Sequence, residues 1–256
     1  MLKTLDNSLE LLHYFTKETP QWGVRELAKA MGMNHSIVFR ILATFEQHGF
    51  LVQDKDSKKY SLGMKFMEFG AIVRDQFRIS DVILPIMQQL SADTGESIYL
   101  TWRDGLEGIC VEIVESSQTI RYGVTVGSRS PLFAGASNKV ILAFLPEEEL
   151  ESIQLQPFTD KTITSKEDLI QDLEKIRVAG WAYSVGEYTE SVFALSLPLF
   201  NSSKEVVASI TVGGPDFRMP QQKVEPTLQK LIRGRDEMQA LIGKLAGAAS
   251  FRGFMS

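Results

Sequence analysis

The segment from His35 to His48, HSIVFRILATFEQH, carries polar residues at a spacing suited to contact with duplex DNA. At 100° per residue, Ser36, Arg40, Ala43 and Gln47 share one side of a helix, with Phe39 on its flank. That side is small and polar, and no acidic residue precedes Glu46, as close approach to phosphates requires. Arg40 can reach a phosphate or a guanine edge, or simply remain a solvated charge. Asn34 and Ser36 stand at the helix start, where each either donates to a phosphate or serves as a cap. His35 is either a phosphate or base contact or an idle surface histidine. Phe39 either touches a thymine methyl or packs on the hairpin that follows. Lys55, Lys58 and Lys59 either steer that hairpin onto the DNA backbone or keep its tip soluble.

The elements that position these residues are legible. Val38, Ile41, Leu42 and Phe45 form one apolar stripe on the opposite side of the helix. Leu27, Ala28 and Met31 predict a preceding short helix, Gly32 its stop, and Gly49 the stop of the second helix. Phe50-Leu51-Val52 and Lys59-Tyr60-Ser61-Leu62 read as strands around a polar turn from Asp54 to Lys58. Helix, turn, helix and hairpin make a winged helix-turn-helix, whose second helix enters the major groove. A first helix is expected over Asn7 to Lys17, with Leu9, Leu12 and Phe15 packing beneath the other two.

From Gly63 a long helical segment follows. Its first half carries an apolar stripe (Phe66, Phe69, Gly70, Val73) that is short of partners and suits pairing with a second copy. Its second half, Ser80 to Thr94, is strongly apolar and closes at Gly95. The period then becomes two. Strands are expected at Ile98 to Trp102, Gly108 to Val114, Ile120 to Val126, Trp181 to Val185, Val192 to Phe200 and Glu205 to Val212. Helices are expected at Ala136 to Leu145, Glu147 to Ile153, from a Thr164/Glu167 capping box to Ala179, and at Gln221 to Leu245. Gly213-Gly214-Pro215 reads as the end of the sheet. The fold class is α+β: an antiparallel sheet flanked by helices behind a DNA-binding head. The expected divisions are 1–63 for the head, 64–79 for a linker helix, 80–246 for the second domain and 247–256 for a patternless tail.

Composition narrows the function further. Net charge is −5, which argues against a protein that coats nucleic acid; any DNA-binding surface is a local patch. Residues 1–62 hold eight Lys and Arg against seven Asp and Glu, while the remainder holds nineteen against twenty-five. No apolar run approaches the ~20 residues of a membrane span, and no signal-peptide core opens the chain, so a cytoplasmic location is expected. The lone Cys110 sits in an apolar strand, where a structural role fits, and His13 and His48 read as structural or surface residues. Three His and one Cys without ligand spacing argue against a metal, and no cofactor is implied. Lys139 opens a helix without a phosphate-loop pattern and suits a structural salt bridge. There is no Gly-x-Ser-x-Gly elbow, no dinucleotide glycine signature and no His–carboxylate pairing, so an enzyme on the second domain is the weaker reading. A winged-helix protein governed by a protein partner is the other alternative.

The helix-turn-helix phrase, Tyr60-Ser61-Leu62-Gly63, the Gly127-x-x-x-Pro131-Leu132 run and the Gly180, Pro198, Gly214-Pro215 frame resemble the IclR (isocitrate lyase regulator) family of bacterial transcription factors. The likeness runs over nearly the whole chain. It implies a winged head, a linker helix and a GAF-like effector domain, assembled as a homodimer or homotetramer on a double-stranded operator. By that resemblance Ala134, Gly135, Ala136, Ser137, Ser184, Glu187, Ala194, Thr211 and Gly213 surround a small-molecule effector, with Glu187 bonding the ligand, capping the loop or remaining a solvated loop acid. Such proteins control catabolic operons and sense small organic or aromatic acids. The chain departs from the family pattern. Phe133, Gly135 and Asn138 replace the usual His, Thr and Gly; Ser191 replaces a Gly, Phe193 an Arg and Ala194 a Cys, and Ser184 stands near a commonly acidic position. The site is therefore expected to be less polar and its ligand larger or aromatic.

Overall fold

The computed structural model describes residues 2–76 and 79–245, so the expected tail lies outside the described residues. The chain divides into two compact units, Met1–Phe77 and Arg78–Ser256.

The first unit comprises α1 (Lys3–Leu12), α2 (Val24–Ala30), α3 (His35–Gln47), β1 (Leu51–Gln53), β2 (Tyr60–Leu62) and α4 (Lys65–Gln76). Its core gathers Leu27 and Ala28 from α2, Val38, Ile41 and Leu42 from α3, and Leu51 and Tyr60 from the hairpin. Burying each such aliphatic side chain favours the fold by about 1.5–3 kcal/mol. Gly32 adopts φ +63°, a left-handed turn that a Cβ would strain, and it reverses the chain between α2 and α3. Trp22 pairs with Tyr60 through two backbone hydrogen bonds, 2.9 and 2.8 Å, and so adds a third rung to the wing.

The first helix differs from expectation: it starts and ends earlier, and its buried residue is Leu11. Leu12 and Phe15 do pack against the core, but Leu9 is 53% exposed. Two residues apart means about 200° around a helix, so Leu9 and Leu11 cannot face the same side. The apolar stripe of α4 finds part of its partner in Phe50, whose ring lies 5.2 Å from that of Phe66 and is stacked on Phe69 at 5.7 Å. Met64, Met67, Ile72 and Val73 stay exposed.

The second unit contains α5 (Ile79–Thr94), β3 (Ser97–Asp104), β4 (Glu107–Val114), β5 (Arg129–Pro131), α6 (Ala136–Leu142), α7 (Glu147–Glu151), α8 (Lys166–Ala179), β6 (Ala182–Val185), β7 (Val192–Phe200), β8 (Val206–Pro215) and α9 (Gln221–Leu245). The strands form one antiparallel sheet in the order β5-β4-β3-β8-β7-β6. On one face, Ile98, Leu100, Leu195, Leu197, Ile210 and Val212 pack against Ile83, Met87 and Leu90 of α5 and Leu228, Leu231 and Met238 of α9. The alternate residues of the same strands, Tyr99, Thr101, Ser196, Ser209 and Thr211, are buried and polar. Period two therefore gives the sheet one oily face and one hydroxyl-rich face. A second core, with Val140 and Ile141 of α6 and Leu169 and Leu173 of α8, covers that other side.

Three expectations are corrected. No strand forms over 120–126: the segment is irregular, with Ile120 and Val126 both 62% exposed. It is tied down at points, by Tyr99 Oη donating to the Tyr122 carbonyl at 2.9 Å and by Gly127 N–H donating to the Cys110 carbonyl at 2.7 Å. Second, β8 runs through Gly213, Gly214 and Pro215 instead of breaking there. A Cβ on Gly213 would lie 3.1 Å from the Tyr99 ring, and one on Gly214 would strike the Glu96 carboxylate. These glycines permit close packing rather than a turn. Third, the cap of α8 is Ser165, whose Oγ accepts from the Asp168 N–H at 3.3 Å, one residue beyond the expected box.

Candidate functional site

In the head, α3 leaves His35, Ser36, Arg40 and Gln47 exposed while Val38, Ile41 and Leu42 hold it to the core. Asn34 is the cap: its Oδ1 accepts from the Ser36 N–H at 2.8 Å. That leaves the Ser36 hydroxyl, the His35 ring and the Arg40 guanidinium on the open side. Phe39 is 49% exposed on the flank. Ile37, 46% exposed, was not anticipated; it lines a groove with Arg40, Thr44, Leu5 and Leu9 between α3 and α1.

The wing tip is built by Asp54, whose Oδ1 accepts from both the N–H and the Oγ of Ser57 at 2.7 Å. These bonds hold the Asp54 carboxyl below its ordinary range. Lys58, at φ +60°, and Lys55 are exposed there. Lys59 differs from them, because its Nζ lies 3.1 Å from Glu26 Oε2 and ties the wing to α2.

In the second unit, all nine residues named from the resemblance line one cavity of about 230 Å³ on the polar face of the sheet. A water needs only ~10–15 Å³ of such space, so the cavity admits a molecule of many atoms. Ala134, Gly135, Ala136 and Ser137 come from the turn into α6, Ser184 from β6, Ala194 from β7, Thr211 and Gly213 from β8, and Glu187 from the β6–β7 connection. Other residues complete the wall: Tyr99 and Thr101 of β3, Tyr122 of the irregular segment, Tyr188, and Asn138 and Phe193, which the resemblance marked as departures but not as contacts. The alternation of Tyr99 and Thr101 with Ile98 and Leu100 signals the first two; Tyr188 carries no sequence signal. Cys110 is also on the wall, and burial pushes its thiol up to about 12, so it stays protonated and unreactive.

The wall is held by buried polar contacts. Ser184 Oγ accepts from the Ala136 N–H at 2.9 Å, fixing the start of α6 against β6. Thr211 and Ser196 share a hydroxyl hydrogen bond of 2.8 Å, and Ser209 Oγ donates to the Ser137 carbonyl at 2.7 Å. Lys139, expected as a structural salt bridge, forms two: its Nζ lies 2.7 Å from Asp172 Oδ2 and 2.7 Å from Glu187 Oε2. Burial raises the Glu187 carboxyl above its ordinary range, opposed by the charge of Lys139 and the Gly135 N–H. Glu187 Oε1 and Asn138 Oδ1 are buried with no hydrogen-bond partner. Among the described residues no group of His, Cys, Asp and Glu has the arrangement of a metal site. No described helix is long and apolar enough to cross a membrane.

Comparison with known proteins assigns both units. The model of the IclR helix-turn-helix domain matches residues 4–55, and that of the bacterial transcriptional regulator IclR C-terminal region matches 72–237. The HTH-type transcriptional regulator KipR of Bacillus subtilis strain 168 is 35% identical over 245 residues, covering 94% of this chain and 97% of its own. The Thermotoga maritima IclR structure is 30% identical, with a TM-score of 0.75 over 95% of this chain and 100% of that one. An IclR homologue from Microbacterium hydrocarbonoxydans, crystallised with 4-hydroxybenzoate, shares the fold at 22% identity, with a TM-score of 0.80 over 93% of this chain and 98% of its own. With both of its units matched in order, the chain belongs to the IclR family of helix-turn-helix transcriptional regulators.

Proposed function

We propose that this regulator reads an operator through Ser36, His35, Phe39 and Arg40 of α3, with Asn34 setting the helix start. Lys55 and Lys58 approach the backbone from the wing, and Lys59 fixes the wing's angle through Glu26. The observation that carries this reading is the division of α3 into a buried apolar side and an open, small, polar side holding Arg40. Phosphate contacts supply affinity and base-edge contacts supply discrimination. The head acts as part of a homodimer or homotetramer, since Leu2, Leu5 and Leu9 of the α1 region, Met64 before α4, and Met67, Ile72 and Val73 of α4 are large apolar side chains left in solvent. Two heads then address two half-sites of a catabolic operon.

The cavity on the polar face of the sheet receives a small organic or aromatic effector, with Ser137, Ser184, Glu187 and Thr211 as polar contacts and Tyr99, Tyr122 and Tyr188 as aromatic walls. An effector changes operator occupancy only by its differential affinity for two arrangements of the assembly. The test is a thermal-shift screen of organic acids, sugars and phenols, followed by operator retardation with each hit. A hit that alters operator affinity supports the coupling. Hits that bind yet leave the retarded fraction unchanged remove the sensor role from the cavity.

A further inference from the structure

The cavity's charges and unpaired acceptor indicate which ligands it suits. Glu187 is on the wall and only 6% exposed; Lys139 takes its Oε2 at 2.7 Å and the Gly135 N–H also stabilises the carboxylate, yet Oε1 accepts no hydrogen bond of normal geometry. A buried acceptor left in this state is costly, and a ligand donor removes that cost. Asn138 also lines the cavity, but its Oδ1 is turned to the Gly108 backbone of β4, so close that a Cβ there would collide with it. Its Nδ2 donates to the Ala134 carbonyl at 3.0 Å and to Ser130 Oγ at 2.8 Å, which fixes the amide's orientation and leaves Oδ1 unpaired.

A carboxylate ligand meets the opposite situation. Among the described residues the one Lys or Arg on the cavity wall is Arg129, and its guanidinium is already engaged by Glu107 at 2.7 Å and Asp104 at 2.6 Å. Lys139, behind Glu187, is divided between Asp172 and Glu187. The N–H of Ala136 is taken by Ser184 Oγ. An anion entering here finds paired cations and the charge of Glu187, whereas a hydroxyl finds a waiting acceptor. The remaining wall suits a ring: Tyr99 and Tyr122 stand 6.1 Å apart at 64°, with Tyr188 on the same cavity.

We propose that the cavity takes a neutral ring bearing hydroxyl donors, a phenol or a sugar, in preference to a carboxylate anion, with Glu187 Oε1 accepting one of those hydroxyls. This rests on the reading of the cavity as the effector site, and it replaces the acid expected from the family resemblance.

The test is calorimetric titration of the full chain with two matched pairs: 4-hydroxybenzyl alcohol against 4-hydroxybenzoate, and methyl glucopyranoside against glucuronate. The neutral member of at least one pair is expected to bind at least about tenfold more tightly than its acid, the size of one hydrogen bond to a charged group. The pair that responds identifies phenol or sugar. Glu187→Gln removes the charge and offers a donor, so it lowers that preference by about tenfold or more. A thermal melt of the ligand-free variant verifies that it folds, and the wild-type comparison decides the matter even if it does not. Equal or tighter binding of the acids, or no binding of all four probes, overturns the proposal. Retardation of operator DNA by the ligand-free protein is measured alongside, so a wrong ligand class and a wrong regulator reading register in different experiments.

Discussion

Lys139 Nζ lies 2.7 Å from Asp172 Oδ2 and 2.7 Å from Glu187 Oε2, joining α6, α8 and the loop after β6 at one buried ammonium. The lysine side chain is 4% exposed and that of Glu187 is 7% exposed. Water therefore cannot replace the Lys139–Glu187 contact, whereas the Asp172 side chain is 31% exposed. Lys139→Ala is expected to cost about 3–5 kcal/mol, because it strands a buried carboxylate. Urea denaturation measures this; a loss below that of an ordinary surface substitution would show that the contact is incidental.

The same triad makes a pH prediction. Burial raises the folded-state carboxyl of Glu187 above its unfolded value, so between the two the folded chain binds more protons. Stability from this group is therefore lost as pH rises from the ordinary glutamate value of ~4.3 through the raised one. Glu187→Gln lacks that dependence. Wild-type stability minus variant stability should fall as pH increases across the window, and a flat difference would contradict the assignment.

Phe39 tests how sequence is read. At 49% exposure its removal is expected to change stability by no more than about 0.5 kcal/mol. Phe39→Ala should weaken operator binding, and replacing a contacted thymine by uracil should produce a similar loss in wild type and none in the variant. If uracil substitution at each operator position leaves wild-type affinity unchanged, Phe39 touches no thymine methyl.

Ser191 occupies a left-handed conformation, φ +56°, where the family resemblance places Gly. Such a backbone costs a non-glycine residue about 1–3 kcal/mol. The structural role of Ser191 is through its carbonyl, which accepts from the Asp216 N–H at 2.9 Å and survives substitution. Ser191→Gly is expected to raise the unfolding free energy by about 1 kcal/mol, net of glycine's greater unfolded-state entropy. A lower melting temperature in the variant would show that the hydroxyl does more.

The legibility of the sequence varied with the kind of contact involved. The α3 stripe was readable because Val38, Ile41 and Leu42 lie on a single side and nothing apolar but Ile37 and Phe39 competes. In α1, leucines at positions 2, 5, 9, 11 and 12 cover two sides, and spacing alone does not say which one meets the core. Ile120 to Val126 alternates as a strand does, yet its backbone finds only scattered partners; Gly213-Gly214-Pro215 has turn composition but fits against Tyr99 and Glu96. Both depend on neighbours far away in sequence. The cavity's nine foreseen residues came by resemblance, whereas Tyr99 and Thr101 were implicit in strand alternation. Tyr188 lines the cavity through tertiary placement that no local pattern encodes.

In the proposed function, the open side of α3 meets duplex DNA. The most direct test is retardation of an operator, selected from a random duplex pool, by wild type and Arg40→Ala across a salt series. Wild type is expected to bind tightly at low salt and the variant to lose ~1–3 kcal/mol, or to show a salt slope smaller by about one if Arg40 meets a phosphate, with unchanged melting temperature. Equal binding by both proteins at every salt concentration, or no duplex retained by wild type at low salt, would contradict it.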